Sequence, residues 1–261
     1  MSDISPRAEI SPKAQIGQNC KIFPFVYIED DVVIGDNCII FPFVSILNGT
    51  RMGANNKVHQ GSVLAALPQD FNFRGEKSEL IIGNNNIIRE NVVINRATHT
   101  GGKTVIGNGN FLMEGVHISH DTVVKDNCVF GYGTKIAGDC VIEKGAILSS
   151  SVIENANTRV GEGAMVQAGT NFSKDVPPYI IAGGVPVGYK GPNFTMMTTY
   201  GIGGKVQKHI ANAYRLVYNG QNSLLDAVLQ IKEQVPDSPE IQVIINFIES
   251  NKVGIIGKQS F

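Results

Sequence analysis

The run VIGNGNFLMEGVHISHDTVVKDNCVFGYGTKIAGDCVIEKGAILSS, Val105 to Ser150, carries a large apolar residue at every sixth place: Ile106, Leu112, Ile118, Val124, Phe130, Ile136, Ile142 and Leu148. Two residues ahead of most of them stands a small or β-branched side chain: Val116, Thr122, Cys128, Thr134, Cys140 and Ala146. Residues two apart in an extended chain share a face, so each large and small pair points the same way and fills a narrow interior. Turn formers that tolerate positive φ, such as Gly107-Asn108-Gly109, separate the pairs. Each hexapeptide is therefore a short strand plus a corner. Three of them close a triangular coil, which stacks on the next by parallel hydrogen bonding. A helical reading fails, because six is not a multiple of 3.6 and the run is crowded with Gly, Asn and β-branched residues.

Working outward, the same register extends from Ile4 to Phe172 and is broken only at Asp70, Glu76, Thr100 and Glu154. The stretch LPQDFNFRGEKSEL cannot lie in the coil wall, since Asp70 and Glu76 would face inward, so a loop is expected near residues 67–79. A smaller excursion is expected near 98–103. Loops leaving a rigid scaffold are where binding groups tend to sit, although a tolerated insertion reads the same way. The pattern ends at Asp175-Val-Pro-Pro178. Beyond it, helical spacing appears from about 202 to 219, Ser223 with Asp226 caps a second helix, and Ser238-Pro239-Glu240 starts a third. The expected fold is mainly β with a C-terminal α domain: a parallel β-helix over 1–190, closed at one end by helices over 191–261. A repeat stack requires such a cap.

Composition narrows the function classes. Of 261 residues, 43% are hydrophobic, enough for a real core. The formal charge of -1, from 22 basic and 23 acidic residues, sets up no field suited to nucleic acid or an anionic membrane. The opening MSDISPRAEI lacks the features of a signal peptide, and no window has the ~20 apolar residues of a spanning helix. A soluble, cytoplasmic protein without stable membrane insertion is expected. Cys20, Cys38, Cys128 and Cys140 all occupy the small inward position, as packed thiols in a reducing compartment would.

A coil wall has no cavity of its own, so a site must lie outside it, under a loop or between subunits. His117 and His120 in MEGVHISHDT flank the inward Ile118 and project outward. Histidine takes a proton near neutral pH, and Asp121 is placed to orient or charge-stabilise the ring. A lone surface histidine usually means nothing, and this pair with Asp121 is suggestive rather than diagnostic. No metal site or cofactor is expected, because His59, His99, His117 and His120 do not place three ligands at one level.

Seven features together resemble the UDP-N-acetylglucosamine O-acyltransferase family that opens lipid A synthesis. They are the hexapeptide array, LPQDFNFRGE (Leu67–Glu76), the INR-T segment Ile94–Thr98, LMEGVHISHD (Leu112–Asp121), IAGD (Ile136–Asp139), KDVPPYIIAG (Lys174–Gly183) and NAYRLVY (Asn212–Tyr218). The resemblance runs almost end to end, and the extra N-terminal domain of the related N-acyltransferase is not expected. It implies a left-handed β-helix homotrimer with sites between subunits, moving a 3-hydroxyacyl chain from acyl carrier protein to the sugar 3-hydroxyl. By matching motif, His120 is the general base, with Asp121 beside it, and Gly138 supplies an oxyanion N–H. Gln69, Asp70, Asn72, His117, Asp139, Asn155 and Asn193 fall at substrate-binding positions, Asn193 reaching a neighbouring subunit. Ala168 and Pro186 lie where the family measures acyl length. Four places depart from the family pattern: Asn72 for Lys, Asp139 for His, Asn155-Ala156 for His-Gln, and Met196 to Tyr200 for an Arg-rich run. Each lost charge-assisted contact is worth roughly 1.5–3 kcal/mol. Another nucleotide sugar as acceptor, or a non-catalytic trimeric binding protein, are the alternatives. Lys205, Lys208 and Arg215 read as a carrier-protein patch or a solvated helix face.

Overall fold

A computed structural model describes residues 2–219 and 223–258. Strands of two to four residues recur every hexapeptide and form three faces of a prism. Face A runs from Asp3–Ile4 to Ile180–Gly183 and ends with the antiparallel strand Gly188–Pro192. Face B runs from Glu9–Ile10 to Asn171–Phe172, and face C from Gln15–Ile16 to Arg159–Val160. Register is parallel and steps by one whole coil: Lys21 lies opposite Ile39 and Ile22 opposite Ile40 on face A, Val123 opposite Val141 on face C.

This register stacks like on like. Ile22, Ile40, Val58, Ile88, Leu112, Phe130, Leu148 and Val166 form one buried column of the interior. Each such side chain contributes about 1.5–3 kcal/mol by leaving water. All four cysteines are free and buried, and burial pushes the thiols of Cys128 and Cys140 up to about 12.

The structure departs from the pattern at three points. Ile4 is 43% exposed and Ile10 and Ile16 are half-buried, because the first coil has no coil beneath it. Glu154, expected as a break, stays in the wall as an inward residue of face B at 1% exposure. Its Oε1 accepts from Thr158 Oγ1 at 3.0 Å while Oε2 has no partner among the described residues, and burial raises the carboxyl far above its ordinary range. An amide ladder also runs through the small inward column. Asn56 Oδ1 accepts from Asn86 N at 2.9 Å, Asn86 Oδ1 from Asn110 N at 2.8 Å, and Asn110 Oδ1 from Cys128 N at 2.7 Å.

The strand Gly188–Pro192 crosses the boundary expected at residue 190. Four helices follow: α1 Phe194–Thr199, α2 Gly204–Asn219, α3 Leu224–Gln234 and α4 Pro239–Glu249. Ser223 caps α3 in a reciprocal box with Asp226, and Ser238 caps α4. Tyr189 stacks on Tyr218 of α2 at 4.2 Å, and Tyr214 Oη donates to Pro178 O at 2.5 Å. Arg159 clamps α4 to the last coil. Its Nε donates to the buried Asp175 at 2.7 Å, its Nη2 to Phe247 O at 2.9 Å, and its guanidinium lies 4.2 Å from the Phe247 ring centroid. No helix among the described residues is long and apolar enough to cross a membrane.

Candidate functional site

Both excursions leave the prism at the corner joining face B to face C. The first follows the strand Val63–Ala66 and rejoins at Glu79–Ile82; the second follows Val93–Asn95 and rejoins at Lys103–Ile106. Glu79 and Lys103 thus belong to strands rather than to the loops. The loops are bonded to each other: Asn95 Nδ2 donates to Leu67 O at 2.7 Å, Ser78 Oγ to Ala97 O at 2.5 Å and Gly101 N to Lys77 O at 2.9 Å. The same corner of the next coil holds His120, and that of the coil after it holds Gly138. A platform of two loops therefore abuts a column of corner residues.

His120 Nδ1 lies 2.9 Å from Asp121 Oδ2, which leaves Nε2 free on the far side, 3.9 Å from Asp70 Oδ2. A carboxylate bonded at Nδ1 selects the tautomer whose Nε2 accepts a proton. Asp121 is itself held in place. Thr98 donates to it from N at 3.1 Å and from Oγ1 at 2.7 Å, His99 Nδ1 approaches at 3.2 Å, and Asp121 N donates to Thr104 Oγ1 at 2.9 Å. Asp70 is set by its own turn, accepting from Asn72 N at 2.6 Å and Phe73 N at 3.2 Å. Asp70, Asn72, Glu76, Thr98, His99 and Thr100 line a cleft of about 460 Å³.

Gly138 sits directly under the imidazole. A Cβ there would fall 2.5 Å from His120 Cε1, so glycine is required for close approach rather than for its φ, which is not positive. Its N–H donates to no group among the described residues. Beside it, burial and then the nearby Asp121 hold the Asp139 carboxyl above its ordinary range. His117 projects from face B, bonds Ser119 Oγ at 3.2 Å, and has its pKa lowered by burial, then by Lys135 and His120. Together these groups form a proton acceptor, an unpartnered N–H and a set of carboxylates around one corner, which is the equipment of acyl transfer to a hydroxyl.

The chain brings His120, Asp121, Gly138, Asp139 and Asp70 together, with His117 alongside. Gln69, Asn155 and Ala168 are exposed, as is Pro186, which follows a cis peptide. Asn193 is only 3% exposed and is turned inward: its Oδ1 caps α1 through Met196 N and its Nδ2 donates to Gly163 O. With Met196, Thr199 and Tyr200 it lines a separate hollow of about 390 Å³ against face A, beside Val129, Ile147 and Met165. Within one chain, then, the expected nucleotide residues do not meet the His120 corner. Lys205, Lys208 and Arg215 are exposed on α2. Thr98 and His99 as partners of Asp121 were not read from the sequence, although the excursion carrying them was.

Residues 175–256 match the family model described as UDP N-acetylglucosamine O-acyltransferase, domain 2, and residues 13–40 and 103–138 match the bacterial transferase hexapeptide. The chain is 46% identical to an acyl-(acyl-carrier-protein)-UDP-N-acetylglucosamine O-acyltransferase of Chlorobaculum parvum, covering 97% of each chain. A protein of the same name from a Sulfurihydrogenibium species is 43% identical over 100% of this chain and 96% of its own. Among solved structures, a UDP-N-acetylglucosamine acyltransferase from Bacteroides fragilis superposes with TM-score 0.96 at 47% identity, covering 97% of this chain and 99% of its own. One from Campylobacter jejuni gives TM-score 0.93 at 26% identity, covering 98% and 100%. The coil is accordingly a left-handed parallel β-helix with a small C-terminal helical region.

Proposed function

The chain belongs to the UDP-N-acetylglucosamine O-acyltransferase family, and on that premise we propose that it transfers a 3-hydroxyacyl chain from acyl carrier protein to the 3-hydroxyl of UDP-N-acetylglucosamine, opening lipid A biosynthesis, with His120 as base. The observation that carries the role of His120 is its placement: one ring nitrogen fixed on Asp121 at 2.9 Å, the other open, and the ring lying on the backbone of Gly138. The sugar hydroxyl attacks the thioester carbonyl carbon, and as the new C–O bond forms its proton passes to His120 Nε2. The carbonyl oxygen takes the electron pair and is met by the Gly138 N–H. Collapse of this intermediate breaks the C–S bond, and the departing thiolate recovers the proton from the imidazolium. Asp121 holds the ring and stabilises its charged form. Asp70, 3.9 Å from Nε2, accepts a hydroxyl of the incoming sugar and sets its approach.

The outward faces support assembly into a homotrimer. Face A presents Ile87, Phe111, Val129, Ile147 and Met165 in one stripe, and face C presents Ile81, Val105, Val123 and Val141. Contiguous apolar stripes on a coil surface are covered by neighbours in a stable protein. Packing of copies also brings the Asn193 hollow of one chain to the His120 corner of another, which unites the two groups that one chain holds apart. The protein works in the cytoplasm, where acyl carrier protein and sugar nucleotide meet. Incubating UDP-N-acetylglucosamine with a panel of 3-hydroxyacyl carrier proteins and weighing the product tests the reaction. A mass gain of one hydroxyacyl group is expected, and no acylated nucleotide with any donor would refute the proposal.

A further inference from the structure

We propose that Thr122, sealed inside the prism, is a positioning residue that aims the Gly138 N–H at the reacting carbonyl; this rests on the reading of Gly138 as oxyanion donor. Thr122 is fully buried in face C's inward column, and its Oγ1 donates to Ala137 O at 3.1 Å, with His120 O at 3.5 Å. The Ala137–Gly138 peptide is trans, the one cis bond among the described residues being Val185–Pro186. In a trans peptide the C=O and N–H point in opposite directions. Because the Thr122 hydroxyl draws Ala137 O into the interior, the Gly138 N–H faces outward, onto the side where the His120 ring lies.

No backbone N–H donates to Ala137 O among the described residues. The hydroxyl is therefore the group that satisfies this carbonyl, and a buried acceptor left without a donor is costly. Without it the peptide gains by rotating its oxygen out to water, and the same rotation carries the N–H inward, away from substrate. One hydroxyl behind the wall thus couples interior hydrogen bonding to the orientation of the oxyanion donor. The same bond recurs elsewhere, from Thr134 Oγ1 to Ser149 O at 2.9 Å, at the corner joining face A to face B, which supplies a matched control.

The test compares Thr122→Val, Thr122→Cys and Thr134→Val for thermal stability and for steady-state transfer to UDP-N-acetylglucosamine. Cysteine fits this place, since Cys140 follows Thr122 in the same column and its Sγ lies 3.3 Å from Asn155 O. Thr122→Val is expected to lower kcat by about tenfold or more, a fraction of what complete loss of an oxyanion donor costs, with KM for the nucleotide little changed. Thr122→Cys, keeping a weak donor, is expected to fall between it and the wild type. Thr134→Val is expected to lose similar stability with its kcat intact. Wild-type kcat in Thr122→Val, or in Thr122→Cys together with a fully active Val variant, overturns the inference, as does an equal kcat loss in Thr134→Val. Gly138→Ala, which keeps the N–H but crowds the His120 ring, separates the two levels: slow Gly138→Ala beside fast Thr122→Val refutes positioning by Thr122 alone, whereas full activity in both refutes the tightly held corner on which the oxyanion reading rests.

Discussion

Gly138→Ala is the substitution whose effect follows most directly from coordinates. A Cβ at this position meets His120 Cε1 at 2.5 Å, Nε2 at 2.9 Å and Nδ1 at 3.0 Å. Unbonded carbon atoms rest about 3.5–4.0 Å apart, so the ring or the corner must yield by roughly 1 Å. The ring is held by Asp121 at 2.9 Å and cannot retreat without breaking that bond. If instead the corner tilts, the Gly138 N–H leaves its line. Misplacing a catalytic group by about 1 Å costs on the order of 10²-fold, and losing an oxyanion donor costs about 10²–10³-fold. Either route lowers kcat at least about 100-fold by these figures. The variant is expected to fold, at some cost in stability, since φ of Gly138 is outside the left-handed region and the clash is with a side chain rather than with backbone. The assay is steady-state transfer from a 3-hydroxyacyl carrier protein, with product quantified by mass and folding checked by thermal melt. A Gly138→Ala enzyme folded and within a few-fold of wild-type kcat would refute the claim that imidazole and glycine share one tightly occupied site.

Other perturbations have equally definite outcomes. Asp121→Asn removes the carboxylate that receives His120, His99 and Thr98, and is expected to lower kcat by about 10²-fold or more, as loss of a base's orienting partner does, with nucleotide KM nearly unchanged in steady-state assays. Glu154→Gln addresses the buried carboxyl. Its pKa is raised in the fold, so the folded state holds its proton while the unfolded chain releases it above about 4.5, and wild-type stability should fall as pH rises from there. Melts at pH 5 and pH 8 are expected to show a smaller pH-dependent loss in Glu154→Gln than in the wild type; an identical loss would contradict the burial argument. Arg159→Ala removes the cation from the buried Asp175, leaving it the Asn251 amide and the residue-159 N–H, frees α4 from the last coil, and should cost about 3 kcal/mol in denaturant unfolding.

The coil was legible because its signal repeats. Every stacked Ile and Val in the wall restates the same six-residue rule, so a single misfit such as Glu154 does not disturb the register. That residue shows the limit of the rule, since Thr158, four places on, satisfies one oxygen and lets a carboxyl sit where polarity alone forbids it. The ladder Asn56, Asn86, Asn110 was hidden for a related reason: asparagine reads as a turn former, and only stacking shows each amide feeding the next backbone N–H. At the site, His120 and Asp121 came from one contiguous motif and Gly138 from a second, IAGD, through its resemblance to a family. Thr98 and His99 reach Asp121 across the loop platform, and Thr122 acts through a carbonyl one coil away. Such contacts are set by the 18-residue stacking and the loop packing, which no local pattern encodes. Asn193, expected to reach a neighbouring subunit's substrate, caps α1 within its own chain, a second role that its motif did not disclose.

The role of His120 is tested most directly by one comparison: product formation by wild type and His120→Ala, each given UDP-N-acetylglucosamine and a 3-hydroxyacyl carrier protein and followed by mass spectrometry. Proton removal by this imidazole requires acylated nucleotide from the wild type and essentially none from the folded variant. Acylated product from His120→Ala at the wild-type rate would contradict it.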